Sequence, residues 1–202
     1  MVSDGVICDW LDVTHSPDDS PISDVAMFLL SQGAVLDSQG RYELGDGKVQ
    51  IDRKRSHTRV STSGGSIAYL VLVGQWYEYL SLLGSSPHRV TRLDAAYDVA
   101  RDGADVLAEL DHRYPDDRVK LGRKTLDAEW WIKSRPDGRK TGTWYVGFKS
   151  RARATARVYD KAWERRCKVG IDGPPRTRYE VTVRRDYGAT LRDAAEPTRI
   201  FW

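Results

Sequence analysis

The sequence is that of a globular protein. Of its 202 residues, 40% are hydrophobic and 30% are charged, which excludes a disordered chain and provides enough material for one substantial core. No apolar run reaches the roughly 20 residues needed to span a bilayer, and the N-terminus lacks a secretory signal pattern, so we expect a cytoplasmic protein without membrane contact. The two cysteines exclude a disulfide framework and a cysteine-based zinc site.

Charge is distributed unevenly along the chain. The net charge is only +3, but the first 50 residues are acidic, whereas Lys and Arg clearly outnumber Asp and Glu between residues 120 and 185. Such asymmetry favours a polyanionic partner, above all a nucleic acid, for the second half of the chain. A well-solvated basic face is the alternative.

The first half of the chain alternates between strand and helix patterns. Strands are predicted at residues 6–14, 41–52, 57–62, 66–73 and 88–100. A helix capped by Ser20 or Ser23 is expected to end at Gly33, and amphipathic helices are expected at 75–84 and 103–114. In the first of these two, the helical spacing places one set of apolar side chains on one face: Trp76, Tyr79, Leu80 and Leu83.

The second half predicts a hairpin and a strand that continues into a helix. The turn RPDGRKT separates the aromatic runs AEWWIKS and GTWYVGFKS. The segment ATARVYDKAWERRCKVG begins as a strand, becomes helical around Asp160 and ends near Gly170, and RYEVTVRR is an alternating strand. This order predicts an α+β fold, a largely antiparallel central sheet flanked by helices, in a single catalytic domain over residues 1–202.

Two predicted strands carry carboxylates among polar residues. In VTRLDAAYDVA, the period of two places Asp94 and Asp98 on one face with room between them for a divalent ion bound through oxygen. Surface salt bridges are the alternative. In TRYEVTVRR, Glu180 shares a face with Arg178; a lone strand glutamate is usually an ion-pair partner, and it gains interest if it meets Asp94 in space.

A tyrosine among cations marks the segment ARVYDKAWERR. Arg157, Tyr159 and Lys161 share a face if the strand continues to residue 161. Because the pKa of a free tyrosine is about 10, nucleophilic use of Tyr159 needs nearby positive charge or a metal ion. The same cations suit the oxygens of a phosphodiester. A packing role is the alternative.

Other enzyme classes find no support in the sequence. The four histidines are scattered without metal-binding spacing, and neither a phosphate-binding loop nor a Gly-x-Ser-x-Gly elbow is present. The glycines of TSGGSIAY predict a turn before a strand. By contrast, aromatic and basic residues interleave after residue 129, as in proteins that bind single strands. The basic residues predicted to contact DNA are Arg135, Arg139, Lys140, Lys149, Arg151, Arg153 and Arg178.

Three segments in this order, VTRLDAAYDV, TWYVGFKSRARATARVYDKAWERR and TRYEVTVRRDYG, resemble the replication initiation factors of rolling-circle plasmids and phages, the Rep_trans group. This group includes relaxases of some conjugative elements. DWLDVT resembles its opening strand, so the resemblance spans residues 6–187. It implies a site-specific DNA nickase that depends on Mg²⁺ or Mn²⁺ and forms a 5′-phosphotyrosine at a single-stranded or hairpin origin.

The resemblance also implies roles for individual residues. Tyr159 would be the nucleophile, Lys161 and Arg157 would steady the phosphate, and Glu164 would orient Lys161 or the attacking group. The metal ligands would be Asp94 and Glu180, with Asp98 as a helper. A homodimer and a host helicase are expected partners. Because typical members are longer, a C-terminal portion is expected to be missing. A non-catalytic DNA-binding regulator on the same scaffold is the alternative function.

Overall fold

The structure is a computed structural model, which describes residues 5–18, 21–121, 124–147 and 152–201. Its strands are β1 (Ile7–His15), β2 (Val35–Leu36), β3 (Arg41–Leu44), β4 (Gly47–Lys54), β5 (His57–Ser63), β6 (His88–Val99), β7 (Arg118–Leu121), β8 (Lys124–Ser134), β9 (Lys140–Val146), β10 (Ala154–Asp160) and β11 (Thr177–Arg184). Its helices are α1 (Ile22–Ser31), α2 (Gly64–Leu72), α3 (Trp76–Gly84), α4 (Gly103–Arg113), α5 (Lys161–Val169), α6 (Leu191–Ala195) and α7 (Thr198–Phe201).

The chain forms two compact units. The N-terminal unit comprises residues 7–95 and the chain after residue 182, and the central unit comprises residues 96–182 with the residues before 7. The expectation of a single catalytic domain stays a prediction. Among the described helices, none is both long and apolar enough to cross a membrane.

The N-terminal unit is a sheet with helices packed on it. Its strands follow the order β2-β3-β4-β5-β1-β6, and the neighbours from β2 to β1 pair antiparallel. Helix α2 packs on β1 and β4, and α3 contacts α1, α2 and α6. The helical face predicted for α3 is confirmed, because all four of its apolar side chains are buried: Trp76, Tyr79, Leu80 and Leu83.

The central unit contains a second set of strands with helix α4 on one side. Their order is β6-β11-β10-β9-β8-β7, and β7 to β10 pair antiparallel with their neighbours. The core lies where α4 packs on β9 and β10. In it, Val106 and Leu107 of α4 cluster with residues of the strands: Trp144, Val146 and Val158. The α+β fold with a largely antiparallel sheet is thereby confirmed.

Two local predictions in the N-terminal unit are wrong. The apolar run at 66–73 forms helix α2, whose buried residues Ser66, Ile67 and Leu70 follow a helical spacing, while Leu72 is 83% exposed. The glycines before it start the helix, and a Cβ on Gly65 would lie 2.5 Å from the backbone of Asp46. Helix α1 is preceded by Pro21 at the cap position, and Ser23 lies inside the helix rather than at its cap. Ser20, the other proposed cap, lies outside the described residues.

The strand and helix boundaries in the central unit follow the sequence closely. The RPDGRKT turn separates β8 from β9, and their register pairs Ser134 with Lys140. Strand β10 ends at Asp160, whose side chain caps helix α5 by accepting a hydrogen bond from the Trp163 N–H. The helix ends at Gly170, which adopts a left-handed conformation with φ of 70°. The predicted change from strand to helix is confirmed.

Candidate active site

Tyr159 of β10 contacts the glutamate of the neighbouring strand β11. Its hydroxyl donates a hydrogen bond to Oε2 of Glu180 over 3.2 Å. The other carboxylate oxygen of Glu180 accepts from Arg157, whose Nε lies 2.8 Å away and Nη2 2.6 Å away. The side chain of Glu180 is fully buried. The carboxylate is therefore held in place by a phenol on one oxygen and a guanidinium on the other.

Two cations lie beside the phenol ring: Arg157, as the alternation of β10 predicts, and Lys161, which begins helix α5 because the strand ends at Asp160. The guanidinium carbon of Arg157 is 5.0 Å from the ring centroid of Tyr159, and Nζ of Lys161 is 5.5 Å from it. Nζ of Lys161 is also 3.5 Å from the hydroxyl oxygen. The structure thus brings together Arg157, Tyr159 and Lys161, with Glu180 as a fourth member.

The phenol of Tyr159 is neutral in this environment. Burial raises its pKa well above the usual value, and the negative charge of Glu180 raises it further, while the opposing effects of Arg178 and Arg157 are smaller. Only 5% of Tyr159 is exposed. The nearby cations therefore do not produce a phenolate by themselves, and removal of the proton requires a base. The carboxylate of Glu180 is already its hydrogen-bond acceptor.

Glu164 lies at the start of α5 and holds the lysine beside the phenol. Its two carboxylate oxygens accept from Lys161 and Lys168, each over 2.7 Å. Burial alone would raise the pKa of Glu164, but the hydrogen bonds from these two lysines outweigh it and lower the pKa. Glu164 is therefore a carboxylate that orients the Lys161 ammonium.

Asp98, a candidate metal ligand, forms an ion pair within the central unit. Its Oδ1 accepts from Nε of Arg178 over 2.6 Å and its Oδ2 accepts from Nη2 over 2.8 Å. Arg178 is 6% exposed, so this bidentate pair is largely withdrawn from solvent. Arg178, a candidate for DNA contact, has its guanidinium committed to Asp98 and is not available at the surface.

Asp94 forms the corresponding pair within the N-terminal unit. It accepts from Nε of Arg92 over 3.0 Å and from Nη2 over 2.5 Å. The Arg92 guanidinium carbon lies 4.9 Å from the ring centroid of Trp10, whose indole N–H donates to Asp12 over 2.6 Å. Asp94 is thus the end of a polar chain that begins in the DWLDVT segment.

The three candidate metal ligands do not form a ready ligand set. Each of Asp94, Asp98 and Glu180 is bound by an arginine. Over the part of the chain that the structure describes, no three side chains of His, Cys, Asp or Glu group closely enough to hold a metal ion. As arranged, the residues do not fit Mg²⁺ or Mn²⁺, and the dependence on metal stays a prediction of the resemblance.

Comparison with known proteins bears on the fold. No family model and no curated protein matches the chain. The structure is similar to the solved structure of the rolling-circle replication initiator protein from Geobacillus stearothermophilus, with a TM-score of 0.60 and 18% sequence identity. The likeness covers 96% of this chain and 80% of that one. The chain has the fold of that initiator.

Arg135, a candidate for DNA contact, is largely buried and forms ion pairs inside the central unit. It donates to Asp102 over 3.1 Å and to Asp160, and its guanidinium carbon lies 5.9 Å from the ring centroid of Trp163. Its side chain is 10% exposed. Arg135 therefore joins the residue that caps α4 to the residue that caps α5 and has no free face for a phosphate.

The remaining basic candidates differ in availability. Lys140 and Arg153 are exposed, and Arg139 is 47% exposed with its guanidinium near Asp102 and Asp137. Lys149 and Arg151 lie outside the described residues. The described surface candidates for DNA contact are thus Arg139, Lys140 and Arg153.

The aspartates that cap the two helices described in the central unit are not among the residues predicted from the sequence. Asp102 accepts from the Ala104 N–H over 2.8 Å, and Asp160 accepts from the Trp163 N–H over 2.9 Å and from the Thr141 hydroxyl over 2.8 Å. An aspartate directly before a helix is a capping signal that could have indicated both. The link through Arg135 had no signal, because it joins residues far apart in sequence.

Proposed function

We propose that this protein cuts and rejoins DNA at a replication or transfer origin and that Tyr159 is the nucleophile. One observation carries the proposal: in a chain with the initiator fold, the hydroxyl of Tyr159 donates to a buried carboxylate, Glu180, and has the ammonium of Lys161 3.5 Å away. A phenol, a base and a cation are the groups that transfer of a phosphoryl group to tyrosine requires.

In the proposed step, the phenol oxygen of Tyr159 attacks the phosphorus of a phosphodiester. Its proton passes to Oε2 of Glu180, the bond from phosphorus to the 3′ oxygen breaks, and that oxygen takes a proton from solvent. The products are a 5′-phosphotyrosine and a free 3′-hydroxyl, from which synthesis can start. The reverse reaction, attack by a 3′-hydroxyl, rejoins the strand and returns the phenol, because the energy of the phosphodiester is conserved.

Lys161 is the group that the DNA phosphate would meet first. Its side chain is 28% exposed and pairs with Glu164, which is exposed to the same extent. A partly exposed pair of this kind contributes only about 0–1 kcal/mol, so a phosphate oxygen can replace Glu164 as the partner of the ammonium at little cost. The exchange would place the Lys161 ammonium on the scissile phosphate, beside the Tyr159 hydroxyl that attacks it.

Dependence on Mg²⁺ or Mn²⁺ is a separate part of the proposal. A divalent ion would supply charge neutralisation at the phosphate, but the carboxylates expected to bind it are paired with arginines. Nicking measured in Mg²⁺, in Mn²⁺ and in chelator tests this dependence without assigning ligands. A homodimer and a host helicase are further expected partners, which sedimentation and helicase-coupled unwinding would test.

A second candidate function is a DNA-binding regulator without nicking activity. The observation that favours it is the condition of Tyr159, which is 5% exposed and has a pKa raised by burial and by Glu180. The two functions differ in whether a covalent bond to DNA forms.

The deciding experiment detects that bond. The protein is incubated with a 3′-labelled pool of single-stranded DNA of random sequence and with supercoiled plasmid, and denaturing gels are examined for a covalent adduct and nicked circles. We expect an adduct with the wild type, none with Tyr159→Phe, and an undiminished amount with Tyr179→Phe, which alters a neighbouring tyrosine of β11 that packs on the core. An adduct with Tyr159→Phe would overturn the assignment.

A further inference from the structure

A pocket of the central unit lies where helix α5 begins, next in sequence to the proposed nucleophile. Its volume is about 130 Å³. Trp163 of α5 and Pro175 of the following loop contribute its apolar lining, and Gly103 and Gly173 leave room beside them. The proposed chemistry makes no use of this pocket.

The two ends of the pocket differ in burial. At the buried end, Arg135 donates to both Asp102 and Asp160. At the exposed end, Arg166 lies 3.3 Å from a carboxylate oxygen of Asp172, which is 77% exposed. A ligand would therefore enter past Arg166 and Asp172 and end against the arginine between the two capping aspartates.

The charge of the lining decides the chemical class of the ligand. Three aspartates and two arginines line the pocket, so an anionic group has no net attraction to its interior. A neutral, flat ring with N–H donors and oxygen acceptors fits this lining better. Trp163 supplies an aromatic surface, with the guanidinium carbon of Arg166 5.4 Å from its ring centroid.

One unsatisfied donor and one exposed carboxylate of the pocket match the edge of a base. Nε of Arg135 is buried and lacks a hydrogen-bond partner among the described residues, which leaves a desolvated donor at a cost unless an acceptor reaches it. A base carbonyl oxygen at that end would be such an acceptor. At the exposed end, the carboxylate of Asp172 can accept from an exocyclic amino group, as acidic side chains do with cytosine.

The size of the pocket favours a single ring. A dry cavity of about 150 Å³ in another protein accommodates benzene, so a pocket slightly smaller than this suits one six-membered ring rather than the fused rings of a purine. Tyr159 and Lys161 flank the cap residue Asp160 in sequence, while Trp163 follows in the first turn of the same helix. Because side chains alternate between the two faces of β10, the pocket lined by Asp160 and the hydroxyl of Tyr159 are separate sites that share one junction of strand and helix.

We propose that this pocket binds one pyrimidine base of the DNA strand, with cytosine as the best match, and so contributes to the choice of the nicking site. This inference rests on the proposed function, because it takes the ligand to be the single-stranded DNA that Tyr159 attacks. Stacking on Trp163 supplies affinity, and the groups at the two ends discriminate between bases.

The test measures binding without requiring nicking. Fluorescence anisotropy with labelled 12-residue oligomers of dC, dT and dA is expected to give the affinity order dC, then dT, then dA for the wild type. Trp163→Ala should weaken binding of oligo-dC at least about fivefold and remove the order, because base stacking on an aromatic ring is lost. Trp163→Phe keeps a ring and should retain the order. Asp172→Ala should reduce the difference between dC and dT.

Controls separate the pocket from the rest of the surface and from the proposed function. Asp137→Ala removes an exposed aspartate of the hairpin turn and should leave the order unchanged. Thermal unfolding verifies the fold of each variant, and Asp172→Ala provides the test if Trp163→Ala does not fold. The proposal that the pocket binds a pyrimidine base is overturned if the wild type binds all oligomers equally. It is also overturned if the affinity order survives in Trp163→Ala. The covalent adduct on Tyr159 is judged separately. Failure to bind any oligomer also overturns the pocket proposal, and the adduct assay alone decides the proposed function.

Discussion

Two buried tyrosines, one in each unit, have the same chemistry and different surroundings. Tyr79 of α3 is fully buried, its hydroxyl is 2.7 Å from that of Thr62, and its ring stacks with Phe28 and Trp76. Tyr159 is almost as buried, but its hydroxyl donates to a carboxylate. Burial raises the pKa of both phenols far above the usual value. The difference is the partner: a threonine cannot take the phenol proton, and Glu180 can.

Exchanging each tyrosine for phenylalanine is the strongest test of this comparison. Tyr159→Phe is expected to abolish the covalent adduct with DNA, since the attacking oxygen is gone. Tyr79→Phe removes an equally buried hydroxyl from the other unit and should leave adduct formation intact at a temperature at which the variant is folded. Denaturing gels with labelled DNA measure both. Equal losses in the two variants would mean that Tyr159 acts through the fold.

The second test removes the base and keeps the shape. Glu180→Gln should lower the nicking rate by about 10²- to 10⁴-fold, the usual contribution of a general base, because an amide cannot take the proton from Tyr159. Glu129→Gln in β8 changes an exposed glutamate of the same unit and should nick normally. Single-turnover nicking rates measure the effect. A Glu180→Gln rate close to that of the wild type would contradict the role of this carboxylate.

The third test concerns the cation beside the phenol. Lys161→Ala should lower the nicking rate about 10- to 100-fold, which corresponds to loss of one hydrogen bond to a charged phosphate. Lys168 is the matched control, because it binds the same glutamate through the other oxygen and is 69% exposed. If Lys168→Ala costs as much as Lys161→Ala, then Glu164 and its ion pairs stabilise the helix rather than the reaction.

The smallest expected effect is on stability in alkali, and here the two tyrosines should behave alike. Their folded pKa values lie above the unfolded value of about 10, so each contributes stability that is fully present below pH ~10 and is lost as the pH rises toward the folded pKa. Each should lower the free energy of unfolding by up to about 1.4 kcal/mol per pH unit above pH ~10. Urea unfolding at several pH values should give a shallower slope for Tyr79→Phe and for Tyr159→Phe than for Tyr77→Phe, whose tyrosine is 69% exposed.

The sequence predicted those features that depend on neighbours along the chain. The apolar face of α3, the turn between β8 and β9 and the change from strand to helix at Asp160 all follow from local periodicity or from turn and cap residues. The grouping of Arg157 with Tyr159 follows in the same way from the period of a strand, whereas Lys161 approaches the phenol from the first residue of α5, beyond the end of β10. The prediction of a strand at 66–73 was wrong because a short apolar segment has no periodicity that distinguishes a helix from a strand.

The features that could not be predicted from the sequence are ion pairs between residues far apart along the chain. Asp98 and Arg178 are 80 positions apart, and nothing in either strand indicates that they form a bidentate ion pair. The sequence predicts that Arg135 contacts DNA because it is basic and follows aromatic residues, yet its partners Asp102 and Asp160 lie 33 and 25 positions away. Charge along a chain predicts the kind of partner, and only the tertiary arrangement decides which cations remain free to meet it.

The boundary between β10 and α5 gives the phenol and its lysine different mechanical supports. Tyr159 is anchored by the sheet, where it pairs in register with Thr143 of β9. Lys161 is the first residue of α5, a helix that has no buried residue and is capped by Asp160. A small swing of the helix about its cap would displace the ammonium while the phenol and Glu180 kept their places. The position of the Lys161 ammonium and the hydrogen bond between Tyr159 and Glu180 therefore depend on different secondary-structure elements.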